Sequence, residues 1–312
     1  MNLLNFVSEF PDESSCRNKF KEYRERVGVV CPVCGHKEHY WKEDKACYEC
    51  KHCGKRQSLR ANTVMHGSHL PFRYWFIAIH LLTSTKKSFS AVELQRQLGH
   101  KRYEPIWCML HKLRSIMGKR DELYILSGVM ELDEGFFSTE IEEEEKGTPL
   151  KRGRGSQKKS KVLVMAESHP IEGQTNKKGK IPQVGHLKMV VIHDLKSDTI
   201  TSMVEKNRSK ETIIDSDLST SYIHLNDIVK EHRGQVILKK ETGKFLPWVH
   251  IAISNAKRLL LDIHHDIKGE YLQNYLSEFC YKFNRRHFGE SLFHRLMIAS
   301  VTYKNQFRQN YG

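Results

Sequence analysis

Between residues 29 and 60 the chain reads VVCPVCGHKEHYWKEDKACYECKHCGKRQSLR, a stretch with almost no aliphatic side chains to bury. A segment of that composition cannot build a hydrophobic core, so another force must fix it. Two matching turns supply one: Cys31-Pro-Val-Cys34-Gly and Cys50-Lys-His-Cys53-Gly, with 15 residues between them. Each C-x-x-C-G turn aims two thiolates at one point, and four thiolates suit tetrahedral zinc. Cys47 also forms a C-x-x-C pair with Cys50, but only the 50/53 pair has the trailing glycine. Cys31, Cys34, Cys50 and Cys53 are therefore the expected ligands of a structural Zn²⁺, and His36, His39 and His52 are expected at the surface. In a reducing compartment such crowding favours metal over disulfides.

A structural zinc ribbon says little about function by itself. Charge says more. The 312 residues carry 51 basic and 37 acidic side chains, a net charge of +14, so a polyanionic partner is expected. Lys51, Lys55, Arg56 and Arg60 give the ribbon a basic face suited to phosphates. No stretch approaches the roughly 18–20 uncharged apolar residues of a membrane span, and the start MNLLNFVSEFPDESS lacks a basic n-region before an apolar core. The expectation is an intracellular protein with no membrane partner.

The pattern along the chain divides into four stretches. Residues 1–28 read as a short helical segment ending at Gly28, and 29–62 as the zinc ribbon. Residues 63–122 turn helical, with apolar residues at three- and four-residue spacing. Ser90 is the expected N-cap and Gly99 the expected stop of one helix. That helix and YEPIWCMLHKLRSIMG form a candidate helix-turn-helix, with Arg96, His100, Lys101, Arg102, Lys112 and Arg114 near DNA or, as the alternative, packed in a helical bundle. From residue 123 to 312 the chain reads as α/β. GVMELDEGFF, SKVLVMAES and HLKMVVIHD are strands, KGTPLKRGRGSQKKSK and GQTNKKGKIPQ are loops, and helices return from about Trp248 to Tyr303.

Acidic residues interrupt these strands. Alternation puts Met130, Leu132 and Glu134 on one face of the first strand and Glu131, Asp133 and Gly135 on the other, an acidic line in place of a second apolar face. Asp215 and Asp217 follow the apolar pair Ile213 and Ile214, and either could end a strand. Downstream, the helix WVHIAISNAKRLLLDIHH carries Asn255 on a stripe with Trp248, Ile251, Ala252, Leu259 and Asp262, which is expected to be buried. Hard oxygen ligands from separate elements hold Mg²⁺ in phosphodiester chemistry. Asn255, Asp262 and Asp266 are the candidates for a third ligand beside two aspartates.

Taken in order, CPVCG, CKHCGKRQS, LPFRYWFIAIHLL, VMELDEGFF, DLSTSY, WVHIAISNAKRLL and YLQNYLSEFCYKFNRR resemble insertion-sequence transposases of the IS1595 (ISXO2-like) family, over roughly residues 9 to 300. The resemblance implies an N-terminal zinc ribbon, a helical DNA-binding region and an RNase H-like core with a DDE-type triad, here of the asparagine-bearing kind. Carried over by position, Asp133 is the first acid, Asp217, five residues before Tyr222, the second, and Asn255 the third member, together holding two catalytic Mg²⁺. Lys257 and Arg258 are candidate DNA contacts beside Asn255. Lys151, Arg152 and Arg154 in the basic loop, and Arg285 and Arg286 in the closing NRR, are further DNA-contact candidates, with packing or capping the alternative for the last two.

The implied activity is binding of terminal inverted repeats, Mg²⁺-dependent cleavage at the element ends and strand transfer to target DNA. Synapsis of two ends implies a homodimer or higher oligomer on DNA, in a cytoplasmic, nucleoid-associated setting of bacterial or archaeal type. The alternative is a zinc-ribbon and helix-turn-helix regulator derived from an inactive transposase. Asp133 and Asp217 discriminate, because a pure binding module has no reason to keep both.

Overall fold

A computed structural model describes residues 1–141, 146–169, 184–236, 245–264, 267–305 and 307. The expected loop GQTNKKGKIPQ and Asp266 lie outside the described residues. The chain divides into two compact units, Met1–Lys119 with Phe288–Gly312, and Arg120–His287. None of its helices is long and apolar enough to cross a membrane, among the described residues.

In the first unit, α1 (Leu3–Glu9) and α2 (Glu13–Val27) precede a three-stranded antiparallel sheet of β1 (His39–Lys42), β2 (Cys47–Cys50) and β3 (Arg56–Ser58). Helices α3 (Phe72–Ser84) and α4 (Ala91–Leu98) follow, then α5 (Glu104–Asp121). Glu13 caps α3 across the unit by accepting from the backbone N–H of Phe72 at 2.8 Å and Arg73 at 2.9 Å. Ser90 Oγ accepts from Glu93 N–H, and Gly99 closes α4 in the left-handed conformation, the two boundaries expected from the sequence. The core is aromatic: Phe6, Phe10, Phe76 and Phe293 meet with ring centroids 4.9–6.2 Å apart. Phe293 belongs to α9 (Leu292–Thr302), which the sequence reading counted with the downstream α/β stretch but which packs on α2 and α3. Val64 N–H donates to Ser300 O there at 2.9 Å.

The second unit is built on five strands. They are β4 (Val129–Ser138), β5 (Lys159–Glu167), β6 (Leu187–Ile192), β7 (Ile213–Asp217) and β8 (Glu231–Gln235), in the order β6-β5-β4-β7-β8. β5 is antiparallel to both neighbours, and β4, β7 and β8 run parallel. On one face Phe137, Val162, Val164, Ala166, Leu187 and Met189 pack against α7 (Pro247–Ile263) and α8 (Gly269–Asn284). On the other, Met130, Leu132, Leu163, Met165 and Ile214 pack against Ile200 and Val204 of α6 (Ser197–Asn207) and against Tyr222 and Leu225. Both faces of the sheet are thus covered, as an α/β layer requires.

Candidate active site

β4 alternates as its sequence dictates. Met130 and Leu132 enter one core and Phe137 the other, so Glu131, Asp133 and Gly135 lie on the α7 face. Parallel pairing sets Glu131 beside Asp215 and Leu132 beside Ser216. Continued one residue beyond the paired rows, that register puts Asp133 level with Asp217. Asp215 and Asp217 thus share the face, Asp215 level with Glu131 and Asp217 with Asp133.

Each carboxylate has a different neighbourhood. Glu131, 2% exposed, turns its Oε2 to the first turn of α7, accepting from Trp248 N–H at 2.7 Å and Val249 N–H at 3.0 Å. It supplies the cap that Leu246 cannot, since that residue offers no side-chain acceptor. Burial pushes the Glu131 carboxyl up from its ordinary range, and those N–H groups oppose the rise. Asp215 is likewise raised by burial, against the pull of Arg233 on β8. Asp133 Oδ1 accepts from Glu134 N–H at 2.8 Å, and its Oδ2 lies 3.5 Å from Nδ1 of His250 on α7. Asp217 Oδ1 is buried and accepts no hydrogen bond among the described residues. Tyr222, beneath the pair, is held well above the usual phenol range by burial and then by Glu134, Asp133 and Asp217.

The helix carrying Asn255 differs from expectation. Its buried stripe is Val249, Ala252, Ile253, Ala256 and Leu260, whereas Ile251, Asn255 and Asp262 are exposed. The reason is the footing of α7 on β4: His250 reaches Asp133, Ile253 lies over Gly135 and Lys257 sits 5.7 Å from the Phe137 ring. At about 100° per residue, Asn255 stands roughly 140° round the helix from His250 and about 200° from Lys257. The structure puts Asp133 and Asp217 on one face and does not bring Asn255 to them; the residue of α7 that meets an acid is His250, with Lys257 further along the same edge. Lys257 lies on the β4 side of α7, over Phe137 and round the helix from Asn255. Arg258 is exposed.

The remaining basic candidates separate by burial. Lys151 and Arg152 are exposed in the loop before β5, and the Arg154 side chain lies outside what is described. Arg285 is 2% exposed and its guanidinium is spent inside the protein, on Asp121 Oδ1 at 2.5 Å and stacked 3.8 Å from the Tyr281 ring. That is a correction: an arginine committed to a buried ion pair is not a DNA contact. Asn284 clasps the start of β6 through both its amide atoms, accepting from Leu187 N–H and donating to Leu187 O. Arg286 is exposed but donates to the carbonyls of Phe283 and Val184. In the first unit Arg114 is also interior, 1% exposed and donating to Ser88 and Phe89.

The four cysteines named from the sequence do converge. The sulfurs of Cys31, Cys34, Cys50 and Cys53 all lie within 4.8 Å of one another, and Cys47 is apart from them. The two turns are near copies: Gly35 N–H donates to Cys31 O and Gly54 N–H to Cys50 O, each at 3.0 Å, with φ of +71° and +67° at the glycines. Only glycine adopts that region freely, which is why each pair trails one. Backbone N–H groups of Cys34 and Val33 lower the Cys31 thiol to about 6.

A family model described as ISXO2-like transposase domain matches residues 125–284, just over half of the chain. The chain belongs to the ISXO2-like transposase family. The ISXO2-like match begins just before β4 and ends at Asn284, the last residue of α8, so it contains the sheet, Asp133, Asp217 and α7 and leaves out the cysteine cluster. Comparison with curated proteins found no match. Sequence reasoning about this ISXO2-like transposase missed His250. Its one signal was position: a histidine in the first turn of an otherwise apolar helix, on the edge shared with Lys257.

Proposed function

We propose that the second unit is an RNase H-like catalytic core that cleaves DNA at the ends of a mobile element and transfers the freed 3′-hydroxyl to target DNA. The observation that carries this is the β4/β7 register, which, continued one residue, puts Asp217 level with Asp133 on one face, with a buried Asp217 oxygen that no group among the described residues satisfies. A buried carboxylate oxygen without a donor suits a cation. Two Mg²⁺ bound there would activate water or a 3′-hydroxyl and stabilise the leaving oxygen. Asp133 and Asp217 supply the anionic oxygens, His250 holds Asp133 from α7, and Lys257 meets DNA phosphate at the same edge. The mixed sheet with helices on both faces supports an RNase H-like core.

The four thiolates form a structural zinc ribbon in this reading. Three sulfur pairs 3.5–3.6 Å apart are near the roughly 3.8 Å that a tetrahedron of about 2.3 Å Zn–S bonds requires. The ribbon and the α4–α5 segment bind the terminal inverted repeats, and two copies hold two ends together. The test uses the DNA flanking the gene. Duplexes carrying its terminal repeats should be nicked and joined to a plasmid by the full chain with Mg²⁺, and Asp133→Asn and Asp217→Asn should bind the ends but leave them intact. Cleavage undiminished in either variant rules the proposal out.

A further inference from the structure

Asp217 is the last residue of β7, and the two strands beside it do not hold it equally. The paired rows of β4 and β7 end at Leu132 and Ser216, whereas those of β7 and β8 run on to Asp217 and Gln235. Leu218 N–H then donates to Gln235 O at 3.2 Å, which extends the same ladder. Asp217 Oδ1 accepts no hydrogen bond among the described residues, so the aim of that oxygen depends on the backbone that carries it. Of the two neighbouring strands, β8 is the one that pairs with that backbone.

The residues of β8 are fitted to that task. Pairing puts His232 beside Ile214 and Gly234 beside Ser216, on the face away from α7. Gly234 leaves its row bare, and a Cβ there would press on Leu218 at 3.0 Å. Across that row the His232 ring reaches Ser216, with Nε2 2.6 Å from Oγ. Ser216 Oγ in turn donates to the Asp217 carbonyl at 2.9 Å. A serine has one hydroxyl proton, so the bond to His232 runs the other way, with Nε2–H donating to Oγ. The His232 ring also meets Tyr222, itself 1% exposed, edge to face with centroids 6.3 Å apart. We propose that His232 is a positioning residue for the acidic site: through Ser216 it fixes the Asp217 carbonyl, and with it the direction in which the carboxylate meets a cation. The role rests on the cation site proposed at Asp133 and Asp217. Partners that orient a metal ligand without touching the ion commonly account for about 10–100-fold of its affinity.

The probe is Mn²⁺ alone, titrated into the full zinc-loaded chain and followed by electron paramagnetic resonance. His232→Phe, which keeps a ring against Tyr222 and removes the donor, should weaken the tight site about tenfold, and Ser216→Ala about as much. The double variant should fall little further than either single one, since both break the same link. His232→Gln, which returns an N–H donor at similar reach, should recover most of the lost affinity. Val204→Ala, which loosens the same core from α6, should lower stability in urea and leave Mn²⁺ affinity unchanged. Equal losses of affinity in Val204→Ala and His232→Phe overturn the proposal, as do additive losses in the double variant. Asp217→Asn separates the two claims. Tight binding kept by Asp217→Asn removes the cation site and this role with it; tight binding lost by Asp217→Asn but kept by His232→Phe overturns the positioning role alone.

Discussion

Asp217 Oδ1 is buried without a hydrogen bond, a state that costs roughly 1–3 kcal/mol when nothing compensates it. The cost is understandable if a cation completes the shell, and it makes Asp217 and Asp133 act as a unit. Asp133→Asn and Asp217→Asn should each lower end cleavage by about 10³-fold, and the double variant little further. Around them the structure redistributes roles that one-dimensional reading assigned by helix position. His250, at 3.5 Å from Asp133, is turned to the acids, whereas Asn255 is exposed on another flank. His250→Ala should therefore lower cleavage at least tenfold more than Asn255→Ala, measured as the single-turnover rate on an intact end; the reverse order would reinstate Asn255 as the third ligand. At this scale the sequence was legible where spacing alone decides geometry, as with the cysteines. It was illegible where the rotation of a helix about its axis decides, because the stripe expected to be buried, with Asn255 on it, is not the one that α7 lays on β4.

Elements in the second unit are held by short-range fits. Gly135 lets α7 lie close on β4: a Cβ there would meet Phe137 at 2.8 Å and Ile253 at 3.4 Å. Gly135→Ala should destabilise the chain by about 1–3 kcal/mol in urea melts and displace His250 from Asp133, lowering cleavage as well. At the far end of β5, Glu167 is 4% exposed and accepts from Ser127 N–H at 2.9 Å, His186 N–H at 2.7 Å and His186 Nδ1 at 3.1 Å. Burial opposes its ionisation, but the His186 bonds outweigh it and hold the carboxyl below the usual glutamate range. A folded-state pKa below the unfolded one stabilises above about pH 4.5 and is lost as pH falls through the lowered folded value. Urea stability should therefore drop between pH 5 and pH 3 more steeply in the wild type than in Glu167→Gln, and at pH 7 the substitution should cost about 1–3 kcal/mol. Strands β4, β5 and β6 were readable from branched-residue runs. β8, EHRGQ, was not, since a short polar edge strand carries no apolar alternation, and α6 was masked by its polar start.

Across the whole molecule the charge of +14 and the four-cysteine cluster fit the proposed function, in which the chain would grip DNA through one unit and cut it with another. Domain limits were only partly legible, because the pattern that marks α9 as amphipathic does not say which core it completes. Cys31→Ser should release zinc, seen by elemental analysis, and unfold the β1–β3 sheet, since structural zinc supplies about 10–16 kcal/mol in small modules of this kind. End binding should weaken with it, while the fold of the second unit, followed by hydrogen exchange, persists. The most direct test of the central claim is a Mn²⁺ titration followed by electron paramagnetic resonance, on wild type, Asp133→Asn, Asp217→Asn and Asp215→Asn. Tight binding should vanish with Asp133 or Asp217 and survive the loss of Asp215, two residues back along the same strand; tight binding that persists in Asp133→Asn or in Asp217→Asn would contradict the account.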